Sequence, residues 1–256
     1  NGRRRQRQMC IRDRCKDNDV QVAVQISRCL AKAIDYNQTS GHELAKLLMQ
    51  RNELMIRRAM ADVLTRLFRR LGDEALPFYY QLKADSDPDV LAVISTTSAD
   101  LRFLDANMWV ENLVELSEHE LPVVRRNLVP SLREYFVKFP DDRHKLLPVM
   151  WQDGDEVVRT RMRELLIKMS DISSTQFSSR ITDLAQHGCD LSALWRLMDA
   201  RCEGSAQAWK NWLSGKGDIP TTTETIPHVS TMKAPENLPK LTEALETLDK
   251  ELDFQD

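Results

Sequence analysis

Glycine is scarce in this chain, with 8 residues in 256. No GxSxG, phosphate-binding loop or dinucleotide fingerprint occurs, which removes the commonest signatures of hydrolases, nucleotidases and dehydrogenases. The five histidines (His42, His119, His144, His187 and His228) are scattered, and no HExxH or comparable ligand pair brings two together, so no metal or cofactor is expected. No uncharged apolar run approaches the ~18–20 residues needed to cross a bilayer. The basic start is not followed by an apolar stretch, so it does not read as a secretory signal. Cys10, Cys15, Cys29, Cys189 and Cys202 form an odd set without recurring paired spacing, which predicts reduced thiols in a cytoplasmic protein.

What is present favours helices. Leu, Ala, Arg and Glu are common, charged residues make up 29% and apolar residues 42%. The net charge of −3 is uneven. Residues 1–16 are strongly basic, and the string Gln8-Met9-Cys10-Ile11-Arg12-Asp13-Arg14 resembles translated sequencing-adapter sequence, which would make this arm foreign to the native protein. Residues 215–256 are acidic and the body between them is slightly acidic. An acidic body is a poor polyanion binder, so nucleic acid is not the expected partner.

The apolar positions repeat every 34 residues. Val22, Ile56, Val90, Val124 and Val158 form one such series, and Ile26, Met60, Ile94, Leu128 and Met162 a second. Ala45, Tyr79, Leu113, Leu147 and Ile181 form a third, and Leu48, Leu82, Leu116, Met150 and Leu184 a fourth. Such a register belongs to stacked supersecondary units, each burying its apolar face against the next.

Each unit reads as two helices. The second helices are predicted at Asp19–Ile34, Glu53–Leu71, Asp87–Leu101, Leu121–Phe139 and Asp155–Met169. The shorter first helices are predicted at Glu43–Gln50, Glu74–Lys83, Asn107–Leu116, Asp142–Gln152 and Ser174–Gln186. Apolar residues at i, i+4 and i+8, as in Ile56, Met60 and Leu64, make one helical face. Pro88 and Pro122 fall in first turns, where the missing N–H is harmless. Pro130 and Pro148 fall inside predicted helices and should bend them. After about residue 186 the register slips, and a helix at 205–213 with Trp209 and Trp212 would cap the end. Residues 214–239 read as a linker, and 240–252 as a helix carrying Leu241, Leu245, Leu248 and Leu252.

The second helices open alike, as Met55-Ile56-Arg57-Arg58, Val123-Val124-Arg125-Arg126 and Val157-Val158-Arg159. With Asp155 and Glu156 ahead of the last, this resembles the D-x-x-V-R opening of HEAT repeats over residues 17–200. Departures are Leu91 and Ala23 at the arginine position and a period shorter than the ~40–47 of HEAT units. A tetratricopeptide array has this period, but its Trp, Gly-x-x-Tyr and paired small residues are absent. The resemblance implies an all-α, right-handed, armadillo-like α-solenoid of about five helical hairpins over residues 17–213, capped C-terminally. It also implies that Arg57, Arg125 and Arg159 form a structural ladder, each pairing with an acid of an adjacent unit.

The function expected of such a chain is that of a non-catalytic protein-binding scaffold or adaptor. Arg58, Arg126 and Arg161, with Asp62, Arg66 and Arg133 one turn on, are the predicted contacts of a concave surface favouring an acidic protein or peptide. The acidic tail, through Leu245 and Leu248, is a candidate to occupy that groove in cis. The alternative is a HEAT-like DNA glycosylase acting on alkylated bases, because residues 123–151 resemble a segment of those enzymes in layout. Trp109, Trp151, Asp105, Asp153 and Arg126 would then supply the aromatic faces, the carboxylate and the cation.

Overall fold

The computed structural model describes residues 13–15 and 19–221. Most of the basic arm, the linker beyond residue 221 and the expected helix at 240–252, with its proposed cis contact, lie outside the described residues. The described chain is all-helical. Its helices are α1 (Val20–Tyr36), α2 (Gln38–Met49), α3 (Leu54–Leu71), α4 (Leu76–Lys83), α5 (Pro88–Thr97), α6 (Ala106–Ser117), α7 (Pro122–Lys138), α8 (Leu146–Trp151), α9 (Glu156–Ile172), α10 (Ser174–Gln186), α11 (Ser192–Arg201) and α12 (Ser205–Leu213). Short 3-10 turns at Gly72–Ala75 and Ser98–Phe103 precede α4 and extend α5. No strand occurs among the described residues, and no described helix is long and apolar enough to cross a membrane.

Polar side chains set many of the starts. Asp19, Asn37, Asp87, Asp105, Asp155 and Ser173 each accept a backbone N–H of the first turn of the helix they precede, satisfying a donor that has no partner within that helix. Asn37 is also the single residue between α1 and α2. That short link forces the two helices together, and Gly41 of α2 meets Ile34 of α1 with no room for a side chain.

Packing follows the repeat. The second helices lie against one another in chain order: α1 on α3, α3 on α5, α5 on α7 and α7 on α9. Among the first helices, α8 touches both α6 and α10. All four apolar series are buried from the second unit onward, with Ile56, Val90, Val124 and Val158 sealed completely. Burying a side chain of this size contributes about 1.5–3 kcal/mol. In the first unit, Ile26 is only partly buried. At the other end Leu191, Leu194 and Met198 of the α11 region are buried, and Trp209 of α12 sets its ring edge-on against Phe177 at 4.6 Å.

Three expectations need correction. The second helix predicted at Asp87–Leu101 stops at Thr97 and tightens into the 3-10 turn, because Ser95, Thr97 and Ser98 return their hydroxyls to backbone carbonyls one turn back. The first helix predicted at Asp142–Gln152 shrinks to Leu146–Trp151. Pro148 therefore sits in a first turn and breaks no helix, whereas Pro130 does lie inside α7.

The shortened helix has a physical cause in a buried polar knot. Asp142 and Lys145 adopt the left-handed backbone, with φ of 38° and 54°. The Asp142 carboxylate turns inward and accepts the Leu146 and Leu147 amides at 3.1 and 2.9 Å. Arg180 of α10 is also buried; its Nη2 donates to the Phe136 and Phe139 carbonyls at 2.8 and 3.2 Å and its guanidinium covers the Phe136 ring. Burial pushes the Asp142 carboxyl above its ordinary value, against those backbone hydrogen bonds. The folded protein thus holds this proton more tightly than the unfolded chain. The Asp142 contribution to stability falls as pH rises from the ordinary aspartate value through the folded one, and the burial penalty is complete above that. Asp142→Asn should remove this component. Its melting temperature relative to wild type should rise as pH climbs from about 4 to 6, read by thermal melts in matched buffers.

Candidate functional site

The second helices carry the arginines singled out above. Arg57 opens the first turn of α3 and reaches to the loop between α4 and α5, where its Nε donates to Asp85 Oδ2 at 2.6 Å. Two units later Arg125 does the same from α7, donating Nε and Nη2 to Asp153 at 2.6 and 2.9 Å. Both aspartate side chains are buried, at 6% and 5% exposure. Asp85 and Asp153 also accept the amides of Asp87 and Asp155, closing an Asp-x-Asp turn. Burial pushes the Asp153 carboxyl up, but the Arg125 hydrogen bond and charge and the Asp155 amide outweigh it, leaving the group below its ordinary value.

Arg159 differs. Its guanidinium binds the Asp153 carbonyl and the Glu156 carboxylate, both within its own loop and first turn. Arg57 and Arg125 make the matching loop contact, to the Asn52 carbonyl and to the His119 and Glu120 carbonyls. The loop carbonyl is therefore common to all three ladder residues, and the acid of the next unit to two. His187 stands where Arg159 would find its aspartate, and it turns to Asp183 instead.

Arg58 and Arg126 are tied in as well. Arg58 donates to Asp87 at 3.1 and 3.0 Å and pairs with Asp89 at 2.8 Å; Arg126 pairs with Asp155. These hydrogen bonds hold both guanidinium pKa values up and the Asp87 and Asp155 carboxyls down. Each Asp-x-Asp turn thus carries two arginines of the preceding second helix while its second aspartate caps the helix that follows. Arg161 donates to the Arg126 carbonyl at 2.6 Å and to Asn127 Oδ1 at 3.3 Å, and Asn127 in turn reaches the Ala92 carbonyl at 3.3 Å. Asp62 and Arg66 stand exposed on α3, and Arg133 on α7.

The expected acid of an adjacent unit proves to be Asp85 for Arg57 and Asp153 for Arg125, while Asp87 and Asp155 on Arg58 and Arg126 were not foreseen. The signal was the joint recurrence of Arg-Arg and Asp-x-Asp two units apart. The cross-helix links Asn127 to Ala92 and Arg70 to Asp35, the latter at 2.6 and 2.8 Å, carried no sequence signature.

The residues named for base excision are engaged within the scaffold. Trp109 is sealed in the core beside Tyr135 and Phe139. Trp151 is buried and donates Nε1 to the Asp190 carbonyl at 3.0 Å. Asp105 caps α6, and Asp153 and Arg126 belong to the turn described above. A pocket of about 280 Å³ opens beside the first clamp, lined by Arg51, Arg57, Gln81 and Asp85 among others. Its polar groups face the chain itself: Gln81 donates to the Met49 carbonyl at 2.7 Å and Arg51 to Glu53 and the Cys15 carbonyl. No protein-family model matches this chain, and no curated protein sequence matches it.

Proposed function

We propose that this chain is a HEAT-like right-handed α-solenoid of about five hairpins that works as a non-catalytic, cytoplasmic protein-binding scaffold. The observation that carries the reading is the contact order of the long helices. α1, α3, α5, α7 and α9 each pack on the next, so their outer sides make one extended face. The face has fixed and open parts. Arg57, Arg58, Arg125, Arg126 and Arg161 hold it in place, while Asp62, Arg66 and Arg133 project from it. An extended face suits a peptide or helix laid across it better than a small substrate.

Site-specific photo-crosslinking tests this. A photoreactive residue at 62, 66 or 133 should capture partner protein from the native source, and one at exposed position 115 or 80 on the first helices should not. Capture from positions 115 and 80 alone would overturn the reading. So would duplex DNA binding that weakens by orders of magnitude between ~50 and ~200 mM salt, the behaviour of a phosphate-lined groove.

A further inference from the structure

Buried polar atoms without a hydrogen-bond partner in the protein are few in a folded core, and each asks for an explanation. Among the described residues, three such side-chain atoms belong to the polar knot between α7 and α10: Tyr135 Oη, Arg180 Nε and Asp183 Oδ2, each sealed from solvent. Tyr135 and Arg180 are buried as whole residues. Asp183 follows Arg180 by three positions on α10, the spacing that sets two side chains on one helix face. The Tyr135 hydroxyl lies beside the Asp142 carboxylate, and the Arg180 guanidinium is within electrostatic reach of Asp142, Asp183 and Tyr135 together.

The other polar atoms of the knot are engaged. Both Asp142 oxygens accept backbone amides, Arg180 Nη2 serves the Phe136 and Phe139 carbonyls, and Asp183 Oδ1 faces His187 Nδ1 at 3.3 Å. In the 34-residue register Arg180 fills a slot held by Leu44, Phe78 and Leu146 in other units. A guanidinium there brings N–H donors that those side chains lack. The three sealed atoms are also complementary in kind. Arg180 Nε–H only donates, Asp183 Oδ2 accepts and the Tyr135 hydroxyl does either. Burial, helped by the Asp142 charge, pushes the Tyr135 phenol pKa up, so that hydroxyl keeps its proton.

We infer that the knot is a hydration site, in which one ordered water accepts from Arg180 Nε, donates to Asp183 Oδ2 and shares a hydrogen bond with the Tyr135 hydroxyl. Three partners are the usual complement of a buried water. Charge selects a neutral ligand: the Arg180 guanidinium repels a cation, and the Asp142 and Asp183 carboxylates repel an anion. The sealed position of all three atoms keeps out anything larger. The site is independent of the scaffold reading above.

A high-resolution crystal structure of the full wild-type chain tests this directly. Its map should show one density peak within hydrogen-bonding distance of all three atoms. A map in which Arg180 Nε binds Asp183 Oδ2 directly, with no peak beside them, would overturn the proposal. So would a peak that bromide replaces on soaking, because the site would then hold an anion. Water-oxygen magnetic relaxation dispersion gives a second test in solution. The double substitution Tyr135→Phe with Asp183→Leu leaves the water a single partner, and it should lower the dispersion amplitude by one long-lived water. Equal amplitudes in wild type and a variant shown by circular dichroism to be folded would overturn the site. If the variant does not fold, the wild-type map decides.

Discussion

Replacing Gly41 by alanine should destabilise the protein by about 3 kcal/mol, although the residue lies in a helix. Alanine is favoured over glycine in a helix by about 1 kcal/mol. Here that gain is outweighed. A Cβ on Gly41 would fall 2.5 Å from Ile34 Cγ1 and 2.7 Å from the Ile34 Cα and backbone N. The side-chain contact could relax by a rotamer change, but the backbone contacts cannot. Ile34 belongs to α1, and α1 and α2 are joined by Asn37 alone. For a chain of this length the loss corresponds to a fall of roughly 6–12 °C in Tm, measurable by calorimetry. Gly154→Ala is the control. Nothing lies within 4 Å of a Cβ there, and Ser86 already fills the equivalent place in the other Asp-x-Asp turn. It should leave Tm essentially unchanged.

Asp153→Ala is expected to cost about as much, roughly 3 kcal/mol by urea denaturation at neutral pH. It removes the carboxylate that receives two Arg125 donors and the Asp155 amide. Arg125, itself 15% exposed, would keep its loop carbonyls but lose its counter-charge. Asp153→Asn should cost less, because one oxygen can still accept the amide. The pH response separates charge from geometry. The Asp153 pKa is depressed in the fold, so its contribution is full above the ordinary aspartate value and disappears as pH falls through the folded one. Wild type should therefore lose more stability than Asp153→Asn between neutral pH and about pH 3. A parallel loss in the two proteins would show that the ion pair contributes little.

The buried part of the fold was legible in the sequence because burial and periodicity are the same fact in a helix. Every member of the four apolar series from Ala45 and Ile56 onward is buried where the spacing put it. The polar contacts were harder to read. Asp87 and Asp155 cap a helix and bind an arginine with one carboxylate, and cap chemistry alone accounts for their sequence context. Arg58 and Arg126 were expected to face a partner, and the structure places acids of the next turn on them. The predicted start at Asp142 comes four residues early because Asp142 and Lys145 take the left-handed backbone, which neither residue type announces in the sequence.

The paired arginine turns also divide the molecule's joints into two kinds. The contacts of α1 with α3 and of α5 with α7 are more extensive than those of α3 with α5 and of α7 with α9, and the Arg-Arg to Asp-x-Asp clamps sit at the leaner pair. Clamped joints thus alternate along the chain with joints that lack such a clamp. Because the Asp87, Asp153 and Asp155 carboxyls are held below the ordinary aspartate range, only acid below that range loosens the clamps, and the molecule should then flex as linked pairs of hairpins, hinging at every other joint.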